Sequence, residues 1–306
     1  GETGTFQNHG AIYGGVGVYL GDGVQSFTNT GDITAYNTAV SILGDVGAFN
    51  NSGTIDGFYG LNANYIDTLI NSGTIAGNSN DGALIGGAGH IENTGTLRSD
   101  IYAGLYVHND VGSFNNRGTV SGGDIGLIVN GRTGSFVNTG NVIADASGNE
   151  SIGIGAMFVG GVDSFVNTGR IYGYSAGVLI GIDDYESPGS TDPSRIFNSG
   201  IIETDPCGCG ILGLGFTAGT LNNTGIIRSA IGVGVLPHGT TGVEITNSGT
   251  IEGTEPVLSI PMLGDLTMAL MFDTLDPYDP IENNEGTPRD DVLRLLPGSR
   301  LLGIAD

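Results

Sequence analysis

Residues 27–33 read FTNTGDI, and residues 49–55 read FNNSGTI. Both are copies of one seven-residue motif: an apolar residue, any residue, Asn, any residue, Gly, any residue and an aliphatic residue. The motif occurs eleven times between Phe6 and Ile251. Its asparagines are Asn8, Asn29, Asn51, Asn71, Asn93, Asn116, Asn138, Asn167, Asn198, Asn223 and Asn247. Self-similarity at a nearly fixed period is typical of solenoid proteins, in which each repeat is one structural unit.

Short apolar segments fill the space between the motifs. The first seven asparagines are 20 to 23 residues apart, and segments such as GLYV at 104–107 and IGLIV at 125–129 follow the motif. These segments alternate with period two and are broken by Gly, Asn and Asp, which favours strands and leaves no room for an amphipathic helix. We therefore predict an all-β, right-handed parallel β-helix of about 11–12 coils, with about 22 residues and three short strands per coil.

The Asn-x-Gly element predicts a turn at one corner of every coil. Asn tolerates a left-handed backbone and bonds locally, and we expect the Gly to supply a positive φ. Stacked coils would bring the eleven asparagines into one row, in which each side-chain amide donates to the next. The apolar residues on either side are expected to point into the core.

The repeat pattern divides the chain into two parts. Residues 1–255 carry the regular repeats, with inserts near 145–151, 181–195 and 203–210. Residues 256–306 read as irregular coils or a cap, with an acidic loop at 273–291. Within this second part, DVLRLLPGSRLLG at 291–303 predicts a strand, a Pro-Gly turn and a second strand.

The charge of the chain excludes some partners. The 306 residues have a formal net charge of −23, with nine Arg, no Lys and 32 Asp plus Glu. Such a field repels phosphate backbones and anionic lipid surfaces, so nucleic acid is not an expected partner. The two cysteines, Cys207 and Cys209, are too few for a disulfide framework or a four-ligand zinc site, and their redox state stays open.

These motifs together resemble a known family. The repeated N-[ST]-G-x-[IVL] heptads, the Gly-aliphatic segments and the stretch at 291–303 are similar to the passenger region of bacterial autotransporters, which use type V secretion. The resemblance implies export through the outer membrane of a Gram-negative bacterium, display on the cell surface or release, and often adhesion and virulence. It also implies a C-terminal outer-membrane barrel in the full-length precursor, beyond Asp306.

Two sets of side chains are candidates for binding. Acidic residues cluster in the second insert, namely Asp183, Asp184, Glu186 and Asp192. Their carboxylate oxygens could hold Ca²⁺, but solvated acidic loops with no bound ion are the favoured interpretation, so no cofactor is assigned and the metal stays unknown. Tyrosines follow the motif near one corner, and an aligned row of them would suit sugar rings or a partner protein: Tyr13, Tyr36, Tyr59, Tyr102, Tyr172 and Tyr174.

Repetition without a catalytic constellation favours a non-enzymatic function. We predict a secreted or surface-exposed rod with an adhesive role towards glycans or proteins of a host or neighbouring cell, with self-association left open. The alternative is a β-helical polysaccharide lyase or glycoside hydrolase acting through the acidic inserts. An ice-binding protein is a further alternative, because Thr54, Thr74, Thr96, Thr119 and Thr250 share one motif position, but Asp32, Asn141 and Arg170 interrupt that row.

Overall fold

The protein is a parallel β-solenoid. The computed structural model describes residues 3–146, 153–181, 194–205, 212–235, 242–253, 258–260, 264–266, 268–271 and 291–305. Within these ranges every regular secondary-structure element is a β-strand. The described residues accordingly contain no helix that is long and apolar enough to cross a membrane. The predicted all-β solenoid is thereby confirmed.

Three parallel sheets run along the solenoid, with strands numbered in chain order. Sheet 1 contains strands that lead into the motif asparagines: β1 (Thr3–Asn8), β4 (Val24–Asn29), β7 (Val46–Asn51), β14 (Val111–Asn116), β17 (Thr133–Asn138), β20 (Val162–Asn167), β23 (Ser194–Asn198), β26 (Gly219–Asn223) and β29 (Val243–Asn247). Its last strand, β34 (Val292–Leu295), carries no motif asparagine. Two longer strands, β9 (Tyr59–Asn71) and β11 (Ala83–Asn93), join this sheet after passing through sheet 3.

Sheet 2 contains twelve strands, of which the first eleven follow the Asn-x-Gly turns and the last follows the Pro-Gly turn at 297–298. They are β2 (Ala11–Gly14), β5 (Asp32–Ala35), β8 (Thr54–Gly57), β10 (Thr74–Gly77), β12 (Thr96–Ser99), β15 (Thr119–Gly122), β18 (Asn141–Ala144), β21 (Arg170–Gly173), β24 (Ile201–Thr204), β27 (Ile226–Ser229), β30 (Thr250–Gly253) and β35 (Arg300–Leu302).

Sheet 3 contains the Gly-aliphatic segments and closes each coil. Besides the first halves of β9 and β11, its strands are β3 (Val18–Leu20), β6 (Thr38–Ile42), β13 (Ala103–Val107), β16 (Ile125–Val129), β19 (Ile154–Phe158), β22 (Ala176–Ile180), β25 (Leu212–Phe216), β28 (Ile231–Val235), β33 (Met268–Met271) and β36 (Ile304–Ala305). A separate antiparallel pair consists of β31 (Leu258–Ile260) and β32 (Gly264–Leu266).

Each motif position stacks on the same position of the next coil. Phe27 pairs in register with Phe49, and Ile33 pairs with Ile55. All four side chains are fully buried, and the two Phe rings stack with their centroids 4.6 Å apart and their planes 1° apart. The apolar residues that flank the Asn-x-Gly element therefore fill the core, as the pattern predicts.

The last coil is built from residues 291–305. Strand β34 pairs with β29, β35 with β30, and β36 with β33, so this segment lies on the coil formed by β29, β30 and β33. The Asp291 carboxylate accepts a hydrogen bond of 2.8 Å from the Val243 backbone N–H. Leu295 takes the position above Asn247, and the turn that follows has Gly298 at φ +94°. The stretch at 291–303 thus contains the predicted strand, turn and strand, and it extends the solenoid by one coil.

Candidate functional site

The eleven motif asparagines form one hydrogen-bonded row inside the corner between sheets 1 and 2. Each side-chain amide Nδ2 donates to the Oδ1 of the asparagine in the next coil, over 2.8–2.9 Å, from Asn8 to Asn247. Each Nδ2 also donates to the carbonyl oxygen of its own motif Gly, as Asn29 does to Gly31 at 3.0 Å. All eleven side chains are buried. Because their polar groups bond along the row, these residues hold the coils together and present no surface to a ligand.

From Gly31 onward, the motif glycines are required for a different reason from the one the sequence suggests. A positive φ was expected at each of them, but no motif Asn or Gly has one. A Cβ on Gly31 would instead lie 2.0 Å from the carbonyl oxygen of Gly10 in the coil below. The equivalent distance is 2.1 Å at Gly118. The expectation was wrong because the constraint is the close stacking of one turn on another, which a single repeat does not reveal.

The predicted acidic cluster mostly lies outside the described residues. This applies to Asp183, Asp184, Glu186 and Asp192, to Cys207 and Cys209, and to most of the loop at 273–291. Near this region Glu203 is described, and its carboxylate accepts a 2.8 Å hydrogen bond from Arg170 Nε. Among the described residues no three His, Cys, Asp or Glu side chains are placed to hold a metal ion.

Two of the candidate binding tyrosines, Tyr172 and Tyr174, differ in environment. Tyr172 points outward from β21, with the Arg170 guanidinium 5.0 Å from its ring centre and its hydroxyl 3.4 Å from an Asp205 carboxylate oxygen. Burial and then the Asp205 charge raise the pKa of the Tyr172 hydroxyl. Tyr174 lies in the corner before β22, where its backbone N–H donates to the Ala144 carbonyl. Tyr172 is thus held by its protein neighbours.

The six predicted tyrosines do not line up as one row. Tyr13 pairs in register with Thr34, whereas Tyr59 pairs with Thr38. Tyr13 and Tyr36 approach each other edge-on, with ring centres 5.3 Å apart. Among the described residues, the predicted row is therefore reduced to this pair.

Charged residues form a chain along the outer face of sheet 2. Arg170 bonds Glu203, Glu203 lies 3.8 Å from Arg228, and Arg228 Nε donates to Glu252 at 2.8 Å. Four consecutive coils thus alternate Arg and Glu. The arrangement neutralises charge locally on a strongly acidic chain and adds cross-coil contacts.

The threonine row proposed for ice binding is short. Thr54, Thr74, Thr96 and Thr119 stack in register on sheet 2. Asp32 precedes them and Asn141 follows them at the same position. Four coils of threonine give a strip only about 15 Å long at a strand spacing of about 4.8 Å.

Exposed aromatic and aliphatic side chains concentrate instead at the N-terminal coils. Of the thirteen large hydrophobic side chains recorded as exposed among the described residues, seven lie within residues 13–65. Four of them lie at or beside the corner between sheets 2 and 3, and we call these four the N-terminal aromatic face: Tyr13, Val16, Tyr36 and Phe58. Of the other three, Tyr19 lies on β3, and Leu43 and Tyr65 lie at the opposite corner, where sheet 3 meets sheet 1.

This face holds a shallow hollow with aromatic walls. The hollow measures about 630 Å³ and is lined by Gly15, Val16, Tyr36, Asn37 and Phe58. Tyr36 is 74% exposed and Tyr13 is 66% exposed. Isolated exposed hydrophobic residues are ordinary on a protein surface, but a contiguous group of them marks an interaction site.

Sequence reasoning missed five of the seven exposed side chains within residues 13–65, namely Val16, Tyr19, Leu43, Phe58 and Tyr65. A signal for Tyr19 was available, because it stands between Val18 and Leu20 in a period-two strand and must point outward when those two point inward. Phe58 and Tyr65 lie at corners, where alternation is interrupted and parity gives no answer.

Comparison of this chain with models of protein families, with curated proteins and with solved structures finds no match in any of the three.

Proposed function

We propose that this chain is the adhesive passenger rod of a bacterial autotransporter, displayed on the cell surface or released outside a Gram-negative cell, and that it acts by binding and not by catalysis. The N-terminal aromatic face carries the adhesive part of this proposal. The motif heptads and the stretch at 291–303 support the autotransporter part through the family resemblance.

A stack of coils is a suitable support for a binding face. The buried asparagine row and the phenylalanine stack fix each coil on the next, so side chains on the surface keep their relative positions. Tyrosine and phenylalanine bring large contact areas with little loss of side-chain entropy on binding. A rigid aromatic face is therefore a favourable surface for the sugars or proteins of another cell.

The test compares matched aromatic variants of the purified rod. We expect Tyr36→Ala combined with Phe58→Ala to reduce binding to cells and to a glycan array by tenfold or more, as hot-spot aromatics do. Tyr102→Ala is the control, because Tyr102 is also exposed, at 41%, but lies outside the face. Wild-type protein that binds no cell and no glycan would refute the adhesive role.

Two further measurements address secretion and catalysis. The gene sequence downstream of Asp306 is expected to encode an outer-membrane barrel, and its absence would contradict the autotransporter route. Incubation with a panel of acidic polysaccharides and added Ca²⁺ is expected to leave the polysaccharides intact. Degradation would favour the lyase or hydrolase alternative.

A further inference from the structure

A second concave surface lies on the opposite corner of sheet 3, where it meets sheet 1. This corner groove measures about 640 Å³ and spans three consecutive coils. It is lined by Gly23, Val24, Gln25, Asp45, Val46, Gly47, Tyr65 and Asp67. Val24 and Val46 are buried, so the side chains that reach into the groove are those of Gln25, Asp45, Tyr65 and Asp67.

Tyr65 lies flat against the next coil. A Cβ added at Gly87 would lie 3.3 Å from Tyr65 Cδ2, and one added at Gly89 would lie 3.3 Å from the Tyr65 hydroxyl. The ring therefore extends along two glycines that have no side chain to lift it. Tyr65 is nevertheless 39% exposed, so the rest of the ring faces the groove and solvent. Such a supported aromatic ring is a ready platform for stacking.

The floor and the polar wall of the groove are also fixed. A Cβ at Gly23 or at Gly47 would come within 2.6 Å of a backbone carbonyl oxygen, so a side chain cannot fill the floor without a shift of the coils. The Asp45 carboxylate is oriented by a 2.8 Å hydrogen bond from Asn64 Nδ2. With Asp67 and Gln25, the groove presents carboxylate and amide groups beside an aromatic ring.

We propose that the corner groove binds one or two units of an uncharged saccharide, a refinement that rests on the glycan-binding role proposed above. The apolar C–H face of a pyranose ring packs on Tyr65. Its hydroxyls donate to the Asp45 and Asp67 carboxylates, and Gln25 both donates and accepts. Two carboxylates on a chain of net charge −23 repel uronic, sulfated and sialylated sugars. The recognised class is therefore neutral glycans.

The experiment measures saccharide binding to the intact chain. Neutral hexose oligosaccharides and their uronic or sulfated counterparts are titrated into wild-type protein and three variants, with saturation-transfer NMR and calorimetry as readouts. We expect the wild type to bind a neutral oligosaccharide, and Tyr65→Ala and Asp67→Asn each to weaken that binding about tenfold. Tyr102→Ala, at an exposed tyrosine outside both the N-terminal aromatic face and the corner groove, is expected to bind as the wild type does. Circular dichroism and thermal melting of each variant control for folding.

The outcomes separate this inference from the adhesive role. Neutral saccharide binding that Tyr65→Ala weakens and Tyr102→Ala does not would support the corner groove. Binding of no neutral saccharide, binding unaffected by Tyr65→Ala, or a preference for acidic sugars would overturn it. If cell adhesion then still depended on Tyr36 and Phe58, the adhesive role would stand while the corner groove was rejected.

Discussion

Replacement of Asn116 by alanine tests whether the asparagine row holds the coils together. Asn116 is fully buried in the middle of the row. It accepts from Asn93 Nδ2 at 2.8 Å and donates to Asn138 Oδ1 at 2.8 Å and to the Asn141 carbonyl at 3.0 Å. The alanine variant removes all of these bonds from a site that water does not reach.

The cost follows from the groups that lose a partner. Asn93 Nδ2 keeps its contacts to the carbonyls of Gly95 and Thr119, at 3.3 and 3.2 Å, so it stays partly satisfied. Asn138 Oδ1, in contrast, loses the donor from the coil below. A buried polar atom left without its partner costs about 1–3 kcal/mol, and the lost volume adds to this. We expect Asn116→Ala to lower the free energy of unfolding by about 3 kcal/mol.

Asn115→Ala is the matched control, because Asn115 is the preceding residue on β14 and points to the outer surface. We expect it to change the free energy of unfolding by less than about 0.5 kcal/mol. Urea denaturation followed by circular dichroism gives both values. Hydrogen exchange then shows whether the loss is local, as it can be in a repeat protein whose coils contact only their neighbours. Equal effects of the two substitutions would refute the role of the row.

Three further substitutions have expected outcomes. Gly118→Ala should lower the free energy of unfolding by about 3 kcal/mol, because its Cβ would lie 2.1 Å from a carbonyl oxygen of the coil below. Gly10 has the same motif position but open space around it, so Gly10→Ala should leave the free energy of unfolding, measured by urea denaturation, unchanged. Arg228→Gln should lower the free energy of unfolding by less than about 1 kcal/mol, since the Arg228 side chain is 42% exposed. This difference from the wild type should shrink in 0.5 M salt, and a loss that does not depend on salt would contradict the ion-pair explanation. Burial raises the pKa of the Asp81 carboxyl above its ordinary value of 3.8, so its contribution to stability is present below pH 3.8 and is lost as the pH rises through the folded-state pKa. The Asp81→Asn variant should therefore have the same melting temperature as the wild type at low pH and a higher one than the wild type once the pH exceeds the folded-state pKa of Asp81. A difference in melting temperature that stays constant between pH 3 and pH 7 would contradict this.

Much of the fold follows from the sequence because contacts in a solenoid repeat with the sequence period. A residue such as Phe27 packs on its equivalent in the next coil, Phe49, so the spacing of the motif also predicts which residues are in contact. The arrangement of the charged chain does not follow in this way. Arg170, Glu203 and Arg228 are 33 and 25 residues apart, and inserts of unequal length hide their alignment until the strands are paired.

The candidate site was harder to predict than the core. The sequence draws attention to inserts because they break the pattern, and to tyrosines because they recur near a corner. The structure instead groups Tyr19, Phe58 and Tyr65 with Tyr36 around sheet 3. Burial in a strand follows parity, whereas exposure at a corner depends on how the backbone turns and on which neighbours in the adjacent coils lack a side chain.

By itself the sequence determined the strand-only solenoid, its repeat, the residues of its core and the identity of its eleven stacked asparagines. These features depend on the local alternation of apolar and polar residues and on the spacing of a motif that occurs eleven times. The tertiary structure decided why the motif needs glycine, how residues 291–305 return onto the coil formed by β29, β30 and β33, and where the N-terminal aromatic face and the corner groove form. Each of these depends on the distance between groups in different coils, which only the stacking of those coils establishes.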